Sequence, residues 1–154
     1  MVADAKRRVV TMNEAARVAN AAKPSKELHV GLWVVQGLLA ITFIGAGLWK
    51  LLTPISKLAE AIPWAGQVSS AFLQATAIFD LLGGIGLALP AITRIKPGLT
   101  VLAALGCAAL QVCAIVFHVS RGEAAKTPFN VLLVALALFV FWGRWRRAPI
   151  EPRG

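Results

Sequence analysis

The sequence predicts an all-α polytopic membrane protein: a bundle of four transmembrane helices, with a short interfacial helix after the first span. Three observations carry this. Of 154 residues, 58% are hydrophobic and only 15% are charged, where an average soluble protein has roughly a quarter charged. The apolar residues fall into four blocks, at 30–52, 68–92, 98–120 and 129–142. At about 1.5 Å per residue, each crosses or nearly crosses a hydrocarbon core of about 30 Å. One compact bundle is expected, with a basic tail over 1–28, a membrane domain over 29–147 and a C-terminal tail over 148–154.

The tail is polar and is expected to lack stable structure, since it has no clean apolar stripe. The first apolar block starts too late, and is too long, for a signal peptide's hydrophobic region. That block has Trp33 and Trp49 near its two ends, where interfacial indoles belong. Lys50, at its far end, is expected to extend its amine to the headgroups. Gly45, Ala46 and Gly47 leave room for a close neighbouring helix. In the stretch 53–67, Thr53 and Pro54 form a helix start, and Ile55, Leu58, Ala59 and Ile62 share one face before Pro63 stops it. This is a helix lying in the interface, not a span. The second block ends in the basic turn TRIKP. The third is followed by the polar loop RGEAAKTP, whose Pro128 can open the fourth. The arginines of GRWRRAP are expected to mark the return to water, with 143–145 at the interfacial end of the fourth span.

Twelve of the sixteen Lys and Arg residues then lie on one side of the membrane, in the N-terminal tail, at Arg94 and Lys96, and at Arg144, Arg146, Arg147 and Arg153. Lys50, Lys57, Arg121 and Lys126 lie on the other. This bias places both termini in the cytoplasm, with a bacterial-type cytoplasmic membrane as the expected location. The net charge of +9 does not point to nucleic acid. The cations flank apolar blocks and form no groove-binding element, so anionic lipid is the nearer partner. Cys107 and Cys113 are six residues apart, about 240° around a helix, and cannot pair within it. No metal-ligand spacing is present.

Asp80 is the only carboxylate in the second block, and a carboxylate in hydrocarbon costs at least a few kcal/mol unless it has a partner, a proton or water. Counted from the shared turn, Asp80 and Gln111 sit at matching depths of about 18–20 Å. Their spans are antiparallel neighbours, so an Asp80–Gln111 hydrogen bond is the expected pairing. Cys107, Gln111, Ala114 and His118 share a face of the third span. With Thr76 and Gln74 they outline a polar seam opening away from the cytoplasm, with His118 and Lys50 at its mouth. Asp80, Gln111, Thr76, His118 and Lys50 are therefore the candidate ligand-binding residues. The competing readings are structural: Asp80 as a bundle-locking group, His118 as an interfacial histidine, the glutamines as links between helices, the glycines as packing. A salt bridge from Lys50 to Asp80 is the lesser alternative. No catalytic set emerges, so an enzyme is not expected, and no cofactor is required.

The segments GAGLWKLLTP, KLAE and PW, then FDLLGGIGLALPAITRIKP, FHVSRGE and FWGRW, follow one another over about residues 31–147. In this order and spacing the chain resembles the DoxX-like family of small four-helix membrane proteins. The family pattern often has Glu where this chain has Asp80, so the acid is one methylene shorter here. The resemblance implies an integral-membrane accessory protein that supports a quinone-linked or other membrane redox system, or binds a quinone-like or other small hydrophobic ligand. The alternative it implies is an assembly or interaction subunit for a partner membrane protein, with no ligand of its own. The lipid bilayer is a partner in either case, and oligomers are compatible with both. A proton-coupled carrier is disfavoured, since the chain has four spans, a single buried carboxylate and no pair of broken helices.

Overall fold

A computed structural model describes residues 11–12 and 25–153; the expectation for the N-terminal tail otherwise falls outside the described residues. Five α-helices are defined from Lys26 onward. They are α1 (Lys26–Leu52), α2 (Ile55–Ala61), α3 (Ser70–Thr93), α4 (Gly98–Ser120) and α5 (Pro128–Trp142). Short 3₁₀ turns follow α2 and precede α5, and a π-helical turn, Gly143–Arg147, extends α5. With that turn, the fourth helical segment reaches the length of a span. All four long segments are apolar and long enough to cross a membrane.

The helix starts follow local chemistry. The Ser25 hydroxyl accepts the amide of Leu28, and the Ser69 hydroxyl accepts that of Phe72, each satisfying a first-turn donor. Pro128 sits in the first turn of α5, where its missing N–H is no loss. The turn between α3 and α4 is tight and contains no glycine. Arg94 (φ 59°) and Lys96 (φ 48°) both take the left-handed conformation, at a cost of about 1–2 kcal/mol each.

The chain goes up and down, and each long helix packs against two others, in the ring α1–α3–α4–α5. Leu39, Phe43, Leu87, Leu133 and Val140 fill the centre with small residues from α4, among them Ala104 and Cys107. Outward faces carry large apolar side chains, such as Ile41 at 72% exposure and Leu102 at 63%. In water such a surface would aggregate; in acyl chains it is solvated. The protein is an integral-membrane four-helix bundle. Leu58 is the buried residue of α2 and packs with Ala65 and Leu73, which seats the interfacial segment against one end of the bundle.

Two expectations about basic residues are corrected. Lys50 does not extend to headgroups but turns inward. Arg144 does not mark a return to water: it is buried, with Nε donating to Gln36 Oε1 at 2.8 Å. The π-helical turn explains the second case. Its extra residue per turn rotates Arg144 toward α1, where Gly143 lies directly against Leu32.

Candidate functional site

The half of the bundle beneath α2 encloses a cavity of about 600 Å³. All four long helices and the interfacial segment contribute to its wall. Each of the five candidate residues, Lys50, Thr76, Asp80, Gln111 and His118, lines it. The rest of the wall is largely apolar and rich in aromatic rings, including Trp64, Phe72, Phe79 and Phe117. Phe117 stacks on Phe72 with centroids 5.9 Å apart and meets Trp64 edge-on at 5.6 Å.

The pairing within this set differs from the expected one. Lys50 Nζ donates to Asp80 Oδ2 at 2.5 Å, with side-chain exposures of 14% and 6%. Gln111 instead accepts from Asn130 Nδ2 at 2.7 Å. The cause is angular. Ala77, Asp80 and Gly84 recur at spacings of three and four and so share a face of α3. A Cβ built on Gly47 of α1 would lie 2.8 Å from the Ala77 carbonyl, and one on Gly84 would lie 2.9 Å from the Ala40 carbonyl. That face therefore looks at α1. Gly83 and Gly86 approach Cys107 and Ala103 of α4 instead. Asp80 and Gln111 match in depth but not in direction.

Sequence reasoning missed Asn130. Its signal was available, since it is the only amide side chain, and the only side chain with an acceptor, in PFNVLLVALALFVFW, the stretch that forms α5. Thr76 donates to the Leu73 carbonyl of its own helix at 2.8 Å, which leaves its oxygen as an acceptor. The Lys50 ammonium also lies 5.9 Å from the centroid of Trp64, a distance at which the ring face attracts a cation.

His118 links the cavity to the following loop. Its Nδ1 lies 2.8 Å from Glu123 Oε2, and Arg121 and Lys126 approach the same carboxylate at 3.8 and 3.6 Å. Arg121 also donates to Gln67, beside α2. The hydrogen bond with His118, reinforced by Lys126 and Arg121, holds the Glu123 carboxyl below its ordinary range. A depressed acid contributes stability above its unfolded-state pKa and loses it as pH falls through the folded value. Glu123→Gln should therefore be less stable than the native chain at neutral pH. The gap should close as pH falls below the ordinary carboxylate range. Thermal unfolding of both proteins in detergent, compared across acid pH, checks this; a gap independent of pH would rule out a charge-based role.

An ion pair in an apolar, aromatic cavity has a definite capability. An ammonium has three N–H donors and a carboxylate several acceptor sites, so the pair can hydrogen-bond both a carbonyl and a hydroxyl of a bound molecule. Gln111 and Asn130 add neutral amide groups on the facing side. Among the described residues no group of three His, Cys, Asp or Glu is placed to hold a metal. Cys107 and Cys113 are both free thiols.

The family model described as the DoxX-like family matches residues 34–140. Comparison with curated proteins and with solved structures gives no match.

Proposed function

We propose that this chain, which belongs to the DoxX-like family, is an accessory protein of a membrane redox system and holds a small hydrophobic ligand of the quinone type. The observation that carries this reading is the cavity itself: about 600 Å³, walled by aromatic rings, with a shielded Lys50–Asp80 pair in its wall. Lipid tails need no such pair, and shielding two charges is costly unless they are well bonded. A ligand with a flat apolar body and carbonyl or hydroxyl oxygens fits both parts. The rings face the body, and Lys50 and Asp80 bond the oxygens.

With both termini on the cytoplasmic side, the cavity and His118 open toward the opposite face of the membrane. The chain's own residues bind and orient the ligand, and electron transfer belongs to a partner enzyme.

The test is native mass spectrometry of the purified protein, followed by titration with a short-chain quinone. Asp80→Asn keeps the size of the side chain and one oxygen acceptor but removes the charge. It should still fold, though less stably than the native chain because Lys50 loses its counter-charge, and bind the quinone on the order of tenfold more weakly, the loss of one charged hydrogen bond. Unchanged binding takes Asp80 out of the site. A stoichiometric protein partner with no bound small molecule would replace this reading with that of an assembly subunit.

A further inference from the structure

The opposite, basic end of the bundle contains a second cavity, of about 200 Å³. Gly98 and Val101 from the first turns of α4 line it, together with Arg144, Trp145, Pro149 and Ile150. The C-terminal segment is fixed over this end by a hydrogen bond from the Arg153 amide to the Arg94 carbonyl at 3.0 Å.

Arg144 is 2% exposed and has no carboxylate partner among the described residues. Nε donates to Gln36, and Nη1 makes a long contact of 3.4 Å with the Ala148 carbonyl. The guanidinium carbon lies 4.8 Å from the centroid of Trp33. Nη2 is buried and has no hydrogen-bond partner among the described residues. Gln36 is committed as well, since its Nε2 donates to the Leu87 carbonyl at 2.7 Å. A guanidinium held this far from water, with a full positive charge and idle donors, is costly unless something negative meets it.

The second feature is independent of the first. Gly98 begins a 23-residue helix that has no side-chain cap; the Leu99 and Thr100 amides bond back to the Lys96 and Pro97 carbonyls, so what this end offers an anion is chiefly the positive end of the helix dipole. The cavity joins these two features. Arg94, Lys96, Arg146 and Arg147 flank the same end and raise the local concentration of anions.

We propose that this cavity binds a phosphate group, with Arg144 as its main hydrogen-bond donor and the start of α4 as its second contact. A phosphate presents several oxygens and can span a guanidinium edge and a helix N-terminus at once. The group can come from a phospholipid headgroup or from a free phosphate in solution, and the chemistry is the same for both. The site lies at the opposite end from the Lys50–Asp80 cavity and does not depend on what that cavity holds.

The experiment uses the full chain purified in a sugar-based, phosphate-free detergent. Inorganic phosphate is titrated against chloride at equal ionic strength, followed by ³¹P NMR and thermal unfolding. In parallel, the protein is reconstituted with phosphatidylglycerol and released for native mass spectrometry. Binding of inorganic phosphate assigns a free anion, and retention of phospholipid alone assigns a headgroup. Arg144→Gln should weaken either one on the order of tenfold or more. Because that variant can fail to fold, Gly98→Asp is the second arm. A Cβ at Gly98 meets nothing within 4 Å, and a carboxylate at a helix N-terminus is favourable, so this variant should fold at least as well as the native chain. Its resident negative charge should abolish phosphate binding. Native protein that binds neither probe, or a folded Gly98→Asp variant that binds them as the native chain does, overturns the proposal.

Discussion

Lys50→Met should destabilise the bundle by about 3–5 kcal/mol, the usual result of removing one partner from a buried ion pair. The double variant Lys50→Met/Asp80→Leu should recover most of that loss, because apolar residues in place of a buried pair are often neutral or stabilising. Quinone binding should stay lost in both proteins. Reversible unfolding in mixed micelles, followed by the fluorescence of the five tryptophans, gives the stabilities, and titration gives the binding. This combination separates two roles that each single substitution confuses. If the pair only locks α1 to α3, the double variant regains everything there is to regain. If it serves a ligand, stability returns and binding does not. A Lys50→Met protein as stable as the native chain would show that the pair is not a buried element. A double variant that binds quinone normally would remove the pair from the proposed site.

The spans were legible because membrane solvation acts on composition. Four long apolar runs separated by turn chemistry have few other solutions, and the blocks at 98–120 and 30–52 correspond closely to α4 and α1. The shared level of Asp80 and Gln111 was also legible, since rise per residue is nearly fixed and both line the same cavity. Azimuth was not. Sequence adjacency makes α3 and α4 neighbours and so points Asp80 at α4, yet α3 packs on α1 as well. Nothing in the primary structure states which face of α3 each neighbour takes. The spacing 77–80–84 does put Asp80 on one face with Gly84, and 47–50 puts Lys50 on one face with Gly47. Knowing that these glycines mark the α1–α3 contact would have paired the two charges.

The burial of Arg144 is hidden from the sequence for a related reason. Three arginines within GRWRR look like a helix leaving the membrane, and Arg146 and Arg147 remain exposed. A π-helical turn has no strong sequence signature, and it alone brings Arg144 inside. The cue that remained was Gly143, whose missing side chain lets the turn come against Leu32.

The second large effect is expected at Gly47 and Gly84, neither of which lines the cavity. At Gly47 a Cβ would come within 2.7 Å of Leu81 Cγ and 2.8 Å of the Ala77 carbonyl oxygen. At Gly84 it would come within 2.9 Å of both the Ala40 carbonyl oxygen and the Ile44 amide nitrogen. Backbone atoms on the facing helix cannot rotate away, so α1 and α3 must separate. Gly47→Val and Gly84→Val should each cost about 3 kcal/mol or more, the upper range for overpacking. The same displacement should draw Lys50 away from Asp80, because each glycine sits one turn from its charged residue on the same helix face. Quinone binding should therefore fall in variants that alter no cavity residue. Gly37→Ala and Gly45→Ala provide the contrast, since a Cβ at either meets nothing within 4 Å. These should be neutral or slightly stabilising, as alanine is the better helix former. Spin labels on the lipid-facing sides of α1 and α3 would report the separation directly. Valine variants that keep the native distance and native binding would mean that helix approach does not set the ion pair.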